Sequence, residues 1–532
     1  MDQKPQPLIT TTRGRTGRGP HPRGVIGRRD LIKLTAGAGV AAFGVAGRGL
    51  ILPWVHASRA AEGEPLVEPE VRASRDGLLD TTLTCSIMPV SVAGQTAIMS
   101  VYEGALPGPT LRVRPGDRLR VKLVNNLEAL PAELPVDSPF RCSALGGPAH
   151  AASGEHATTC DTNLHTHGFH VSPSGNSDNI FLIVKAGESF QYEYEIPPDH
   201  PSGVYHYHPH LHGAAHIQVF GGMVGAIIIE GDLDRLPGID GVPERMLILQ
   251  TTQLTPDGGS VIAQGAAAES TYLRMVNGQL NPTMTIRPGE TQRWRVQNLT
   301  ASTTFRLRLD GHQLHQIAKD GNTLNETWTR DEIVLLPGER VEALVQGGPA
   351  GTYTLRTLPI TTGFTTQVAA TLATLVSAGD AVTPQPLPTT LLPLEDLSTA
   401  DIDERRRISF QIKPPIARPT GPHGPTAQID SHFFDAERDD QVVRLNTTEE
   451  WVIRNASTEW HPFHIHINDY QVVAVNGQPV PVRYNEDTTP VPPLGEITIR
   501  TRFRDFPGRW VYHCHILLHE DLGMMGTLKA LR

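Results

Sequence analysis

The stretch PTLRVRPGDRLRVKLVNN at residues 109–126 recurs in the same chain as PTMTIRPGETQRWRVQN at residues 282–298. A weaker third copy, VRLNTTEEWVIRN, occupies residues 443–455. In each copy, apolar and polar residues alternate on both sides of a turn, which is typical of two short strands that each bury one face. Three copies spread over one chain indicate three versions of one domain.

A second element also recurs three times and supports the same division. A turn that ends in Gly-Glu introduces a strand at residues 186–188, 337–339 and 494–496. Short strands with regular turn signals, in a chain with 50 Gly and 44 Pro, favour antiparallel sandwiches over helix bundles. We therefore predict an all-β fold of three tandem Greek-key β-sandwich domains at residues 70–235, 236–385 and 386–532. A chain of 532 residues is long enough for about three domains.

The first 60 residues have a different character from the rest. Arg28 and Arg29 precede the apolar, Gly/Ala-rich residues 34–47, and small residues follow around Ala57 and Ala60. This pattern resembles a twin-arginine export signal, and the apolar run is too short to span a membrane. We predict a signal peptide at residues 1–60 and a periplasmic or secreted bacterial protein. A basic disordered arm is the alternative.

The charge balance restricts the partners. Ten of the 46 Lys and Arg residues but only two of the 56 Asp and Glu residues lie in the first 60 positions, so the remainder has a formal net charge of −18. Such an acidic protein is a poor nucleic-acid binder, whereas cationic metals are attracted to it. No later segment is apolar for long enough to cross a membrane.

The stretch WVYHCHILLHEDLGM at residues 510–524 contains the most specific chemical signal. A soft thiolate (Cys514), imidazoles such as His519 and a weak thioether (Met524) form the ligand set of a blue-copper electron-transfer site. His513 and His515 alternate with Cys514 along a strand, so they face the opposite side and can bind a second metal centre. A structural zinc site is the alternative, but that class usually requires cysteines at CxxC spacing, which are absent.

Four His-x-His pairs complete this picture. They are His165 with His167, His208 with His210, His464 with His466, and His513 with His515. Two pairs fall in the first predicted domain and two in the third, whereas His312 and His315 of the second domain are isolated. Eight imidazoles from two domains fit a three-metal cluster at their interface, and the remaining His461 supplies the third strong ligand to the copper at Cys514.

These motifs and the domain repeat resemble those of the three-domain multicopper oxidases, the laccase-like group, over nearly all of residues 75–532. The resemblance implies cupredoxin-like domains and four copper ions: one type 1, one type 2 and two type 3. It assigns His461, Cys514 and His519 to the type 1 copper with Met524 axial, and His165 and His464 to the type 2 copper. It assigns to the type 3 pair His167, His208, His210, His466, His513 and His515.

The resemblance also implies that O₂ is reduced to water by four one-electron oxidations of small reducing substrates. In similar enzymes, carboxylates at the places of Glu520 and Asp178 relay protons, and we predict these two as catalytic residues. Either carboxylate can instead support an imidazole by hydrogen bonding. His206 stands where the family usually has an aromatic residue, and His212 and His216 are further departures from the common pattern.

We favour a laccase-like oxidase of phenolic and aromatic donors. The alternative is a cuprous, ferrous or manganous oxidase for metal tolerance, which the acidic surface permits but the absence of a Met-rich insert disfavours. A non-catalytic cupredoxin-like protein requires a broken ligand set, and all twelve positions are intact. Of the remaining cysteines, Cys142 and Cys160 can pair after export, and Cys85 is interpreted as a buried small apolar residue.

Overall fold

The computed structural model describes residues 63–92, 94–132, 134, 138, 140–145, 157–254, 272–363, 366–412 and 427–532. The predicted signal peptide at residues 1–60 lies outside these ranges. No helix in the described part of the chain is long and apolar enough to cross a membrane.

The first sandwich contains strands β1 to β9 and the short helix α1. Its elements are β1 (Val71–Ala73), β2 (Leu78–Val92), β3 (Gln95–Tyr102), β4 (Thr110–Val113), β5 (Arg118–Asn126), β6 (His165–His167), β7 (Ser189–Glu195), β8 (Gly203–His208), α1 (Ala215–Phe220) and β9 (Gly225–Ile229). They form one sheet in the order β1-β4-β9-β8-β6 and a second in the order β3-β2-β5-β7. A 3₁₀ turn at Leu233–Arg235 follows.

The second sandwich contains strands β10 to β22. They are β10 (Glu244–Thr252), β11 (Leu273–Val276), β12 (Thr283–Ile286), β13 (Thr291–Asn298), β14 (Phe305–Leu309), β15 (Leu314–Lys319), β16 (Asn322–Arg330), β17 (Ile333–Leu335), β18 (Arg340–Gln346), β19 (Gly351–Thr357), β20 (Ile360–Thr361), β21 (Thr366–Gln367) and β22 (Ala370–Ser377). The two large sheets have the orders β11-β10-β13-β18-β15-β16 and β12-β22-β19-β14-β17, and β20 pairs with β21.

The third sandwich follows a 3₁₀ turn at Leu397–Thr399. Its elements are β23 (Glu404–Ile412), β24 (Ala427–Ile429), β25 (Gln441–Arg444), β26 (Thr447–Asn455), β27 (His461–Ile465), β28 (Tyr470–Val475), β29 (Gln478–Pro479), β30 (Thr488–Val491), β31 (Glu496–Phe503), β32 (Gly508–Cys514), α2 (Leu517–Asp521) and β33 (Met525–Leu531). The sheets have the orders β24-β23-β26-β31-β28-β29 and β25-β33-β32-β27-β30. The predicted all-β class with three tandem sandwiches is thus confirmed.

The repeated strand-turn-strand element has the same position in every sandwich. Its first strand (β4, β12 or β25) lies in one sheet, and its second strand (β5, β13 or β26) lies in the other. The turn therefore carries the chain between sheets and does not form a hairpin. Alternation explains the burial: in β5, Leu119, Val121 and Leu123 are completely buried, whereas Arg118 and Lys122 are exposed.

Each sandwich has its own apolar core between its sheets, as the pattern requires. Large aromatic side chains fill the second and third cores, where Trp294, Trp451 and Trp510 are each at most 1% exposed. Cys85 is fully buried in the first core, as interpreted from the sequence. Cys142 and Cys160 are joined by a disulfide, with 5.1 Å between their Cα atoms.

Candidate metal centres

The four histidine pairs lie at the ends of strands that are equivalent in the first and third sandwiches. In the first, β6 pairs with β8 so that His165 is opposite His208. In the third, β27 pairs with β32 so that His464 is opposite His513. The corresponding strands of the second sandwich, β14 and β19, contain no histidine. Strand pairing within each sandwich therefore places its two histidine pairs side by side.

Cys514 is the centre of the first group of possible ligands. Its Sγ lies 3.4 Å from His461 Nδ1 and 3.7 Å from His519 Nδ1. Cys514 and His461 are fully buried, whereas the side chain of His519 is 14% exposed. The thiol and two imidazole nitrogens converge on one point, which is the arrangement that a soft metal ion requires.

The outer nitrogens of these two imidazoles have partners of their own. His461 Nε2 is 2.7 Å from Ser457 Oγ, and His519 Nε2 is 3.6 Å from Glu459 Oε2. With the Nε2 atoms engaged, the Nδ1 atoms face the sulfur. Met524, predicted as the axial ligand, is fully buried in the same core as Cys514, and its carbonyl accepts a hydrogen bond from the Cys514 N–H.

The other eight predicted ligands form one buried cluster that contains four overlapping smaller groups. His165 and His464 each lie near His167, with ligand atoms within 4.8 Å of one another. A second group consists of His167, His208 and His515, together with His206. Two further groups share His466: one contains His165 and His210, and the other contains His464 and His513.

Short distances connect these imidazoles, both within the third sandwich (His466 to His513) and between the first and third sandwiches. His513 Nε2 lies 3.1 Å from His210 Nε2 and 3.3 Å from His466 Nε2. His515 Nε2 lies 3.1 Å from His167 Nδ1. The cluster therefore forms only where the first and third sandwiches meet, as the distribution of the pairs predicts.

The ring nitrogens on the outside of the cluster contact oxygen atoms. His165 Nδ1 is 3.0 Å from Asp178, His464 Nδ1 is 2.8 Å from the Asp487 carbonyl, and His208 Nδ1 is 2.9 Å from the Pro209 carbonyl. The opposite Nε2 atoms of these three histidines are buried and have no hydrogen-bond partner among the described residues. Oxygen acceptors outside and unpaired nitrogens inside are the arrangement that metal-binding histidines adopt.

Both predicted catalytic carboxylates contact this cluster. Asp178 lies beside His165 and also accepts hydrogen bonds from the Thr166 N–H and hydroxyl. The two Glu520 oxygens lie 3.3 Å from His210 Nδ1 and 3.1 Å from His513 Nδ1. Each carboxyl group is almost completely buried, and burial raises the pKa of each to about 7.

Burial favours the neutral form of several of these imidazoles. It lowers the pKa of His208 and of His210 to about 3, and that of His519 to about 4, because a cation loses its hydration inside the protein. The nitrogen lone pairs are consequently available for a metal ion at neutral pH. Burial also raises the pKa of the Cys514 thiol well above its usual value, so a metal ion must displace this proton on binding.

The remaining histidines of this region differ in position. His206 is opposite His167 on β8, and the two rings stack with 4.1 Å between centroids. His216 on α1 is buried, and its ring stacks on Phe220. His170 lies at the edge of the interface, where Nε2 contacts Asp505 and Nδ1 donates to the Ile467 carbonyl.

Sequence reasoning missed three residues that contact the predicted ligands, namely Ser457, Glu459 and Asp487, and it also missed Arg340, which contacts Asp487. Ser457 and Glu459 precede His461 by four and two positions, which is a usable proximity signal. Asp487 and Arg340 are far from every motif along the chain. Arg340 directly follows the repeated Gly-Glu turn of the second sandwich, but that repeat predicts only a strand.

The donor chemistry fits copper at both groups. A buried thiol with two imidazole nitrogens suits a copper ion that changes oxidation state, and a set of imidazoles alone also favours copper over most divalent metals. The unpaired Nε2 atoms of His165, His208 and His464 are costly to bury without a partner. A bound metal ion provides that partner.

Comparisons with known proteins give the same answer. Multicopper oxidase family models match residues 156–234, 242–379 and 403–531, which together cover more than half of the chain. A multicopper oxidase of Staphylococcus haemolyticus is 26% identical over 442 residues, covering 81% of this chain and 83% of that protein. A laccase of Bacillus subtilis is 24% identical over 485 residues, covering 80% and 88%.

A solved structure, described as a multicopper oxidase from Campylobacter jejuni and a metallo-oxidase, superposes with a TM-score of 0.71 at 25% identity. It covers 89% of this chain and 96% of that one. The family models, the three cupredoxin-like sandwiches and the cysteine-histidine groups agree. The chain belongs to the multicopper oxidase family and is a copper-dependent oxidoreductase that uses O₂ as its electron acceptor.

Proposed function

We propose that this protein is a laccase-like oxidase, which takes single electrons from phenolic or similar aromatic donors and reduces O₂ to water. Four bound coppers would supply the redox chemistry: an electron-accepting type 1 centre and a trinuclear oxygen-reducing centre. His461, Cys514 and His519 would hold the type 1 copper with Met524 as axial ligand. His165 and His464 would hold the type 2 copper. The type 3 pair would be held by His167, His208 and His515 and by His210, His466 and His513.

The backbone of β32 connects the two centres. The Cys514 thiol faces His461 and His519, whereas its direct neighbours His513 and His515 face the histidine cluster. The electron-accepting centre at Cys514 is therefore joined to the oxygen-reducing centre through the backbone of the adjacent residues, His513 on one side and His515 on the other. This short path lets single-electron oxidations feed one multi-electron reduction.

His519 is the proposed point of electron entry. Of the two imidazoles beside Cys514, His461 is fully buried, whereas the His519 side chain is 14% exposed. A donor that contacts the His519 ring is one imidazole away from Cys514 Sγ. The exposed edge of His519 therefore supports entry at this residue.

The residues around the exposed edge of His519 favour a phenolic electron donor. Glu459 Oε2 lies 3.6 Å from His519 Nε2, and its side chain is 19% exposed. A carboxylate at this place can accept the proton that a phenol releases when it loses an electron.

Every methionine in the described residues is buried or partly buried, so none presents an exposed thioether to Cu(I).

Glu520 and Asp178 are the proposed proton donors for oxygen reduction. Both are buried against the cluster and contact imidazoles of the proposed ligand set, so they can relay to the cluster the solvent protons that oxygen reduction consumes. Support of those imidazoles is the second role that the same contacts allow. The Glu520 variant in the Discussion distinguishes these roles.

Export to an oxidising compartment remains part of the proposal. The twin-arginine-like sequence at residues 28–33 motivates it. The Cys142–Cys160 disulfide is compatible with it, since disulfides form and persist outside the cytoplasm.

A metal oxidase is the second candidate, and Glu459 is the observation that favours it. A carboxylate beside the exposed imidazole also suits a hard cation such as Fe(II) or Mn(II). The net charge of −18 outside the first 60 residues attracts cations as well. The Campylobacter structure is described as a metallo-oxidase.

Oxygen uptake by the copper-loaded protein distinguishes the two candidates. We expect an electron-rich phenol to support uptake at least about 10-fold faster than Cu(I) or Fe(II) at equal concentration, each corrected for its enzyme-free blank. The variant Glu459→Gln should lower kcat/KM for the phenol by about 10-fold or more, because the proton acceptor is lost. Faster uptake with a metal ion, and a larger loss with that ion in the variant, would replace the laccase proposal by the metal-oxidase one.

A further inference from the structure

The second sandwich has no predicted copper ligand, yet four of its residues contact the cluster or its immediate support: Asp320, whose Oδ2 accepts a hydrogen bond from the Thr488 N–H at 3.4 Å, and three others. Two of them, Gly338 and Arg340, belong to the Gly-Glu turn and the start of β18, and the third is Lys319 at the end of β15. The equivalent turns at residues 186–188 and 494–496 recur in the other sandwiches. The Gly-Glu turn is therefore a structural feature of all three sandwiches, and in the second sandwich it also contacts the cluster.

Arg340 makes the strongest of these contacts. Its Nη1 and Nη2 atoms donate to the two carboxylate oxygens of Asp487, each at 2.7 Å, and both residues are at most 1% exposed. Two parallel N–H···O bonds fix the plane of a carboxylate as well as its position. Arg340 is itself held, since Nη1 also donates to the Gly338 carbonyl at 3.1 Å and Nε donates to the Val204 carbonyl at 3.3 Å.

Asp487 passes this constraint to two histidines of the cluster. Its Oδ1 lies 3.2 Å from His167 Nε2, and its backbone carbonyl lies 2.8 Å from His464 Nδ1. An imidazole that donates from one ring nitrogen presents the other as a lone pair. Asp487 thereby directs His167 Nδ1 and His464 Nε2 into the cluster.

Lys319 holds the residues on both sides of Asp487. Its Nζ donates to Glu486 Oε2 at 2.5 Å and to the Thr488 carbonyl at 3.1 Å. Lys319 and Arg340, which we call the clasp, thus bind three consecutive residues of the third sandwich, 486–488. Displacing this segment would break two buried ion pairs, Arg340 with Asp487 and Lys319 with Glu486, and breaking a buried ion pair is strongly destabilising.

Gly338 adds a contact with a third histidine. It has φ +86°, and a Cβ atom at this position would lie 2.8 Å from His515 Nδ1. Only glycine allows the turn to approach the ring this closely. The turn of the second sandwich therefore packs directly against His515 and, through Arg340, supports His167 and His464.

We propose that the clasp is the device by which the ligand-free second domain positions the trinuclear cluster, with Arg340 as the positioning residue for His167 and His464. This inference rests on the copper assignments proposed above. The second domain, whose histidines are not predicted to bind copper, would then support the oxygen-reducing centre by positioning ligands of the other two domains. The type 1 centre has no contact with the clasp among the described residues, so the effect is specific to the cluster.

The variant Arg340→Met tests this proposal in the full-length protein. The side chain keeps its approximate length but loses both hydrogen bonds to Asp487. We expect the cluster to bind copper about 10- to 100-fold more weakly in competition with a chelator. The blue absorption of the thiolate-bound copper should remain. Copper per chain and the EPR spectrum report the two centres separately.

Arg295→Met is the matched control. Arg295 is also 1% exposed in the second sandwich, and it pairs with Glu342 at 2.9 Å and Glu244 at 2.7 Å. None of its described contacts involves the cluster. It should lower the melting temperature and leave copper binding unchanged. Equal loss of cluster copper in both variants would show a general loss of packing and overturn the proposal.

Arg340→Lys keeps the charge and removes the paired geometry, which provides a second test if the methionine variant does not fold. We expect a loss of cluster copper that is smaller than in the methionine variant. The EPR parameters should shift toward those of the methionine variant. If Arg340→Lys binds cluster copper as tightly as the wild type, and Arg340→Met does too if it folds, the positioning role of Arg340 is contradicted. The copper assignments themselves would not be affected by that result. A wild-type protein that holds only the thiolate-bound copper would contradict the copper assignments themselves.

Discussion

Replacing Cys514 with serine is expected to abolish the blue absorption of the copper-loaded protein and to lower donor oxidation by more than about 10³-fold, toward the uncatalysed rate. The reason is that Cys514 provides both the soft ligand between His461 and His519 and the covalent path to His513 and His515. A serine oxygen keeps the volume but not the thiolate. Absorbance and oxygen uptake measure the two effects.

Cys85→Ser is the control for this variant. Cys85 is equally buried in the first core, and its Sγ lies near the Val124 carbonyl and Asn125 Oδ1, neither of which belongs to the proposed ligand set. We expect this protein to stay blue and active, with at most a lower melting temperature. An active, blue Cys514→Ser protein would disprove the assignment of the type 1 centre.

Replacing Glu520 with glutamine is expected to slow reoxidation by O₂ by about 10²- to 10⁴-fold, the usual contribution of a positioned proton donor. Reduction by the donor should be unaffected, because Glu520 contacts His210 and His513 on the cluster side. The two half-reactions are separated by reducing the protein anaerobically, which bleaches the blue absorption, and then mixing it with O₂.

Copper content distinguishes a proton relay from support of the two imidazoles. A Glu520→Gln protein with full copper and slow reoxidation supports the relay, whereas loss of cluster copper would assign Glu520 a supporting role instead. Glu449→Gln provides the control, since Glu449 is 2% exposed, pairs with Arg406 and lies in the same sandwich. Unchanged reoxidation in Glu520→Gln would refute both roles.

The sequence predicts the fold well because its signals are local. Alternation in residues 109–126 and its two copies identifies strands, and the repeat count identifies three sandwiches. Periodicity does not tell which sheet a strand joins, so the crossing between β4 and β5 appears only in the structure. The histidine pairs are also local signals, since a three-residue His-x-His motif is enough to place two imidazoles on the same face of a strand.

The support of the candidate site is not visible in the same way. Arg340 and Asp487 are separated by 147 positions and belong to different sandwiches. Neither lies in a motif with metal-binding character, and only the packing of the second sandwich against the third brings them together. The exposure of His519 relative to His461 likewise depends on the surrounding fold. The metal roles of the twelve residues stay predictions until copper binding is measured.

The stoichiometry of oxygen reduction tests the central proposal most directly. Oxygen uptake, oxidised donor and hydrogen peroxide are measured together in the copper-loaded protein without its first 60 residues. We predict four equivalents of one-electron donor consumed per O₂ and no accumulation of peroxide. Two equivalents per O₂ with matching peroxide, or no uptake by protein that carries its full copper, would contradict the proposed four-electron reduction to water.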